Sequence, residues 1–219
     1  MQAWAARQDL APERVCIYGA DVADIDSIVA AGQRCIAELG LPQVVIANAG
    51  ISIGVDTSDR ADLDILARIY ATNNIGLAAT FHPFVSAMAA RGHGTLVGIA
   101  SVAGIRGMPG HGAYCSSKAA VISYCESLRG ELRRSGVRVV TISPGYIDTP
   151  LTQRNRYPMP FLMPPADFAD QAWRAIEAGT SYIVIPWQMA WVAKLLRILP
   201  NSLFDRLLTG RPRKRRASE

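Results

Sequence analysis

Residues 95–118 read TLVGIASVAGIRGMPGHGAYCSSK. Thr95–Ala100 is an apolar run without the polar alternation of a half-exposed strand, the pattern of a parallel strand covered on both faces. It stops at Ser101. A helical pattern then spans Ala113–Ser135, with Val121, Ile122, Cys125, Leu128 and Leu132 on one stripe and Arg129, Glu131, Arg133 and Arg134 turned outward. Working outward from this unit, the same order recurs along the chain. Short apolar runs lie at Val15–Tyr18, Val44–Ala47, Val137–Ile142 and Tyr182–Ile185. Between them, Ala23–Leu39 places Ile25, Ile28, Val29, Gly32, Cys35 and Ile36 on one stripe, and Leu63–Ala90 reads as a long amphipathic segment with a break. Strand–helix alternation with short connections predicts an α/β fold, a doubly wound parallel sheet with helices on both faces.

In such a sheet ligands sit beyond the carboxyl ends of the strands. Those ends carry Gly19-Ala20-Asp21-Val22, Asn48-Ala49-Gly50, Ser101, and Ser143-Pro144-Gly145-Tyr146-Ile147-Asp148-Thr149. Each is an ordinary turn sequence alone; four in the same relative place point to a flat ligand lying close to the backbone. Tyr114 and Lys118, four apart, share a helix face. A cation beside a phenol favours tyrosinate and lowers its pKa, so this tyrosine can exchange a proton with a substrate oxygen while Ser101 donates a hydrogen bond to the same atom. Tyr-x-x-x-Lys in isolation is common; its place after Ser101 and before Pro144-Gly145 gives it weight.

The chain has 219 residues, of which 50% are hydrophobic and 19% charged, enough for one domain with a sizeable core. Its net charge of +5 is uneven: residues 211–219 (RPRKRRASE) carry five positive groups and one negative, leaving +1 for residues 1–210. A near-neutral body argues against a nucleic-acid-binding domain. Cys16, Cys35, Cys115 and Cys125 form no C-x-x-C pair and lie at no metal-ligand spacing, so no metal is expected and the cysteines read as buried free thiols in a reducing compartment. The start, MQAWAARQDLAPER, has no apolar core of a secretory signal. The most apolar stretch, residues 182–199, is broken by Pro186, Lys194 and Arg197. A cytoplasmic protein is expected.

With these motifs in this order, residues 15–150 resemble the short-chain dehydrogenase/reductase family, which implies a Rossmann-like sheet. The resemblance sets Asp21, with Val22 beside it, against an adenine ring. It makes Asn48-Ala49-Gly50 the Asn-Ala-Gly motif bordering the cofactor. Asn73, three before Gly76, matches the asparagine that holds a water in the proton relay, in preference to Asn74. Ser101, Tyr114 and Lys118 complete a catalytic tetrad with Asn73, and Tyr114 and Lys118 also contact cofactor. Pro144, Gly145, Ile147 and Thr149 match the turn that holds the nicotinamide carboxamide. The implied reaction passes a hydride between a nicotinamide cofactor, NAD or NADP, and a small hydrophobic carbonyl or secondary alcohol, and a homo-oligomer is implied.

The same resemblance implies that a first strand, its Gly-rich turn, a helix and a second strand come before Val15, while residues 1–12 match only the end of the following helix. The fold is therefore expected to be N-terminally incomplete, with a gap between the Val15 and Val44 strands. A start placed too far downstream is preferred to a fragment or a natural truncation. Gly92-His93-Gly94 leads into a strand and reads as a loop, not as the missing turn. The choice between NAD and NADP is unreadable without the second strand.

The Rossmann-like domain is placed at residues 1–186, and an apolar helical segment with a basic tail at 187–219. Residues 151–165, containing RYPMPFLMPP, read equally as a lid over an apolar pocket or as an irregular loop. Trp187–Leu208, with Arg206 near its end and Arg211, Arg213, Lys214, Arg215 and Arg216 after it, resembles a peripheral anchor on an anionic membrane surface; a dimer-packing helix and a solvated tail are the blander readings. His111 reads equally as a residue of the substrate entrance or as structural. The leading function is an oxidoreductase. A truncated, non-catalytic relative acting as a binding or membrane-associated partner is the alternative, and a sugar epimerase or dehydratase fits the length less well.

Overall fold

The computed structural model describes residues 14–153, 155, 157–210 and 212–217. In chain order its helices are α1 (Ile25–Leu39), α2 (Arg60–Tyr70), α3 (Gly76–Arg91), α4 (Gly112–Leu132), α5 (Pro150–Gln153), α6 (Pro165–Glu177), α7 (Trp187–Ile198) and α8 (Asn201–Leu208). The strands are β1 (Val44–Ala47), β2 (Gly94–Ile99), β3 (Val137–Pro144) and β4 (Tyr182–Ile185), all parallel and in the order β1-β2-β3-β4. Val45 pairs with Leu96, Leu96 with Val139, and Ile142 with Ile183.

The strands are continuously apolar because each face meets a helix layer. On one face Val45, Ala47, Leu96, Val137 and Val139 pack against Leu77, Phe81, Phe84 and Met88 of α3 and Val121, Cys125 and Leu128 of α4. On the other, Val97, Val140, Ile142 and Ile185 pack against Ala172 and Ile176 of α6. Phe81 is fully buried in the first layer. Phe81→Ala is expected to lower stability by about 3–5 kcal/mol in urea denaturation, the transfer loss plus an unfilled cavity. Helix α1 lies on α3 at Gly32, where a Cβ would meet Pro83 Cγ at 2.8 Å; no larger residue allows the two helices so close.

Asp24 and Asp59 cap α1 and α2, their carboxylates accepting from Ser27 N and Ala61 N. The break expected in Leu63–Ala90 is a wider turn of π geometry at Ala71–Ile75, which joins α2 to α3 and turns Asn73 inward.

Three expectations are corrected. Val15–Tyr18 is not a strand: among the described residues it has no sheet partner, Ile17 is 43% exposed, and the four strands form one sheet without a gap. An apolar run becomes a strand only where another edge takes its backbone groups. Among the described residues no strand lies against the outer edge of β1, where Ile46 is 45% exposed. Cys16 is exposed and Cys35 half-buried, while Cys115 and Cys125 are buried as expected. The apolar segment 187–208 is two helices, parted at Leu199-Pro200. There the Arg106 guanidinium donates to the carbonyls of Leu196 and Leu199 and stacks 3.8 Å from the Phe204 ring centre.

The tail folds back onto the body. Gly54 N donates to Arg215 O at 2.8 Å, and Arg216 pairs with Asp59 and, at 2.7 Å, with Asp62. The buried Asp62 carboxylate also accepts from Asp56 N, which with Arg216 holds its pKa below the usual carboxylate range. The expected end of a helix in residues 1–12 lies outside the described residues, as does Arg211 of the basic cluster. Among the described residues no helix is long and apolar enough to cross a membrane.

Candidate active site

The carboxyl ends of β1, β2 and β3 open onto a cavity of about 520 Å³. Asn48, Ala49 and Gly50 line it from β1, Ser101 from β2, and Pro144, Gly145, Ile147 and Thr149 from β3. The first turns of α4 add Tyr114 and Lys118. Small residues after each strand leave the space, and the parallel register puts all three ends on one side.

Lys118 is buried. Its Nζ donates to Ile99 O at 2.8 Å, and burial pushes its pKa down to about 8. The ammonium lies 5.9 Å from the Tyr114 ring centre. Burial raises the Tyr114 phenol, and a hydrogen bond with Ser101 pulls it back in part. The direction differs from the lowering that the four-residue spacing implies, because desolvation by burial is the largest influence on the phenol. Ser101 begins a short 3-10 turn, Val102–Gly104, its Oγ accepting from Ala103 N at 3.2 Å.

Asn73 does not line the cavity but braces its floor. Its Oδ1 accepts from Ile51 N at 2.9 Å, and its Nδ2 donates to Ile51 O and to Ser117 Oγ, at 3.1 and 2.9 Å. A Cβ on Gly50 would stand 3.3 Å from both Asn73 Oδ1 and Lys118 Nζ, so glycine lets the two approach the β1 end together. Asn74 points elsewhere, donating to Ser117 O at 2.8 Å.

Asp21 and Val22 are not brought to this cavity. The Asp21 carboxylate accepts from Ala23 N in an exposed turn, and Val22 O sits where a Cβ on Gly76 would meet it at 2.5 Å. The turn that follows Val15–Tyr18 cannot be carried to the sheet end by a strand that does not form.

Sequence reasoning missed Ser117, which joins Asn73 to the Tyr114 carbonyl at 2.8 Å, and Thr152, whose hydroxyl ties Thr149 N to the Ile147 carbonyl. No pattern marks either: Thr152 acts through backbone groups, and Ser117 meets Asn73 from 44 residues away. From the 151–165 segment Leu151, Thr152 and Pro165 line the cavity, with Phe168 beyond it, and Met163 N donates to Tyr146 O at 2.9 Å. His111 lines a smaller cavity beside the large one, its Nε2 3.2 Å from the Tyr157 hydroxyl. Among the described residues no group of three His, Cys, Asp or Glu is placed to hold a metal.

The family model for short chain dehydrogenases matches residues 1–159. The chain belongs to this family. An uncharacterized oxidoreductase of Myxococcus xanthus is 40% identical over 185 residues, covering 84% of this chain and 73% of its own length. Dehydrogenase/reductase SDR family member 7B of Bos taurus is 32% identical, over 93% of this chain and 66% of its own. The dehydrogenase/reductase SDR family protein 7-like of Anopheles gambiae is 36% identical over 60% of this chain, which spans only 41% of that relative. In structure, a short chain dehydrogenase of Burkholderia cenocepacia solved with NADP superposes with a TM-score of 0.78 at 24% identity, over 92% of this chain and 81% of its own. That likeness establishes the dehydrogenase fold: a parallel sheet between helices.

Proposed function

We propose that this short-chain dehydrogenase is an NAD(P)-dependent oxidoreductase that passes a hydride between nicotinamide and an apolar carbonyl or secondary alcohol. The observation that carries this reading is the convergence of Ser101, Tyr114 and Lys118 on one cavity, with Asn73 behind them. The residues present fit the nicotinamide half of the cofactor. Gly50 and Gly145 line the cavity at the sheet end, with Thr149 and the Lys118 ammonium at hand for amide and ribose hydroxyl groups. Asp21 and Val22, assigned to the adenine half, are not assembled with them.

When bound, the nicotinamide ring gives hydride to a carbonyl carbon or takes it from a carbinol carbon. The chain's own residues handle the oxygen. Ser101 Oγ donates to the substrate oxygen and polarises it. Tyr114, kept protonated by burial, gives that oxygen its proton in reduction, and its tyrosinate form accepts a proton in oxidation. Lys118 stands beside Tyr114, and its burial-lowered pKa of about 8 lets it exchange a proton near neutral pH. Asn73 and Ser117 hold the Gly50–Ile51 backbone that floors the site.

One further feature supports a proposal about assembly. Trp187, Trp191, Leu195 and Ile198 of α7 form an exposed apolar stripe, which supports association with a second copy of the chain. Anchoring on an anionic membrane is the weaker reading, because Arg216 is engaged with Asp59 and Asp62. Fluorescence titration with NADH and NADPH tests the proposal first: saturable binding of at least one is expected, and a folded sample that binds neither would refute it.

A further inference from the structure

A smaller cavity of about 70 Å³ adjoins the large one and shares Ser101, Tyr114, Gly145, Leu151 and Thr152 with it. Its far wall is His111, Asn155, Tyr157 and, from the tail, Lys214. The tail is clasped there by the Gly54–Arg215 backbone bond and by Arg216 on Asp59 and Asp62. Lys214 thus reaches the reacting end of the site from a segment 96 residues beyond Lys118.

Its partners are neutral. Lys214 Nζ donates to Asn155 Oδ1 at 2.6 Å and to Leu151 O at 3.3 Å, and among the described residues no carboxylate lies within ion-pair distance of it. An ammonium carries three donors, and a half-buried one without an anion bears a desolvation cost that a counter-charge would offset.

The other groups on this wall supply no competing charge. The Pro109 carbonyl, 3.1 Å from His111 Nδ1, can only accept, so the proton sits on Nδ1 and Nε2 accepts from the Tyr157 hydroxyl. Burial draws the His111 pKa down and keeps the ring neutral. The space holds a group of about two waters' volume, the size of a carboxylate and too small for a ring.

We propose that Lys214 selects substrates that carry a carboxylate a few bonds from the reacting carbonyl. This rests on the oxidoreductase reading in placing that carbonyl oxygen between Ser101 and Tyr114. The substrate class becomes an oxo acid or hydroxy acid with an apolar body in the larger cavity and its carboxylate on Lys214.

The test uses straight-chain oxo carboxylates with one to four methylenes between ketone and carboxylate, each beside its methyl ester. Binding is measured by calorimetry with NAD⁺ or NADP⁺ present, where no hydride can pass, and kcat/KM is measured with NADH or NADPH. For the best chain length the carboxylate is expected to surpass its ester by about tenfold or more in both readouts. Lys214→Met should bring that ratio close to one, and Lys214→Arg should keep it. A ratio near one in the unaltered chain, a ratio that survives Lys214→Met, or no binding of either ligand would overturn the proposal. Turnover of ketones with no Lys214-dependent preference overturns it and leaves the oxidoreductase reading standing. A Lys214-dependent carboxylate preference in binding without any turnover supports the site and refutes that reading.

Discussion

Tyr114→Phe is expected to lower kcat/KM for carbonyl reduction by about a thousandfold, within the range set by loss of a positioned general acid, while binding of NADH or NADPH stays within about twofold. The substitution removes one oxygen from a half-buried ring and leaves the packing of α4 intact. A phenol raised by burial is protonated at neutral pH. Reduction should therefore hold its rate through neutrality and fall only in the alkaline range. Oxidation, which needs Tyr114 as the acceptor, should rise with pH over the same range. A pH profile with the opposite slopes, or a Phe variant that keeps its rate, would remove Tyr114 from this role.

Lys118→Met is expected to abolish turnover and to change how stability depends on pH. In the folded chain Lys118 titrates near 8, against an ordinary value of 10.5. Between those values the unfolded chain holds a proton that the folded chain has released, so stability rises with pH across the window. Below pH 8 the buried ammonium costs about 3 kcal/mol relative to a neutral group. The variant lacks that cost but also loses the bond to Ile99 O, which is worth about 1 kcal/mol. Chemical denaturation should show a variant at least as stable as the parent at pH 7 and a flatter pH dependence between 8 and 10.5. A variant destabilised by several kcal/mol at pH 7 would mean that Lys118 is a structural residue first.

Local chemistry was legible in the sequence; long-range pairing was not. The runs at 44–47, 95–100, 137–142 and 182–185 are strands because apolar residues on both faces leave them no other stable place. Ser101, Tyr114 and Lys118 were readable because strand ends and one helix turn fix their relation within a few residues. Asn73 came from the family resemblance, through the family's spacing to Gly76, and its partner Ser117 did not. Val15–Tyr18 misled, since an apolar run states a preference for burial and does not name the edge that receives it. The pairing of the tail was out of reach for the same reason: Arg216 and Asp62 are 154 residues apart, and nothing around Arg216 in the sequence names that partner. The Tyr114 shift was misjudged because helix spacing reports a neighbouring charge but not the depth of burial.

The most direct test of the central claim follows the hydride itself. The purified chain is incubated with NADH or NADPH carrying deuterium at nicotinamide C4, using each of the two C4 positions in turn, and with a panel of apolar ketones and oxo carboxylates. Mass spectrometry of the alcohols should find one deuterium on the carbinol carbon from one C4 position only, and none should be found with Tyr114→Phe at matched time. Folded chain that oxidises neither cofactor, or alcohol whose carbinol hydrogen comes from water, would contradict the assignment of this site to hydride transfer.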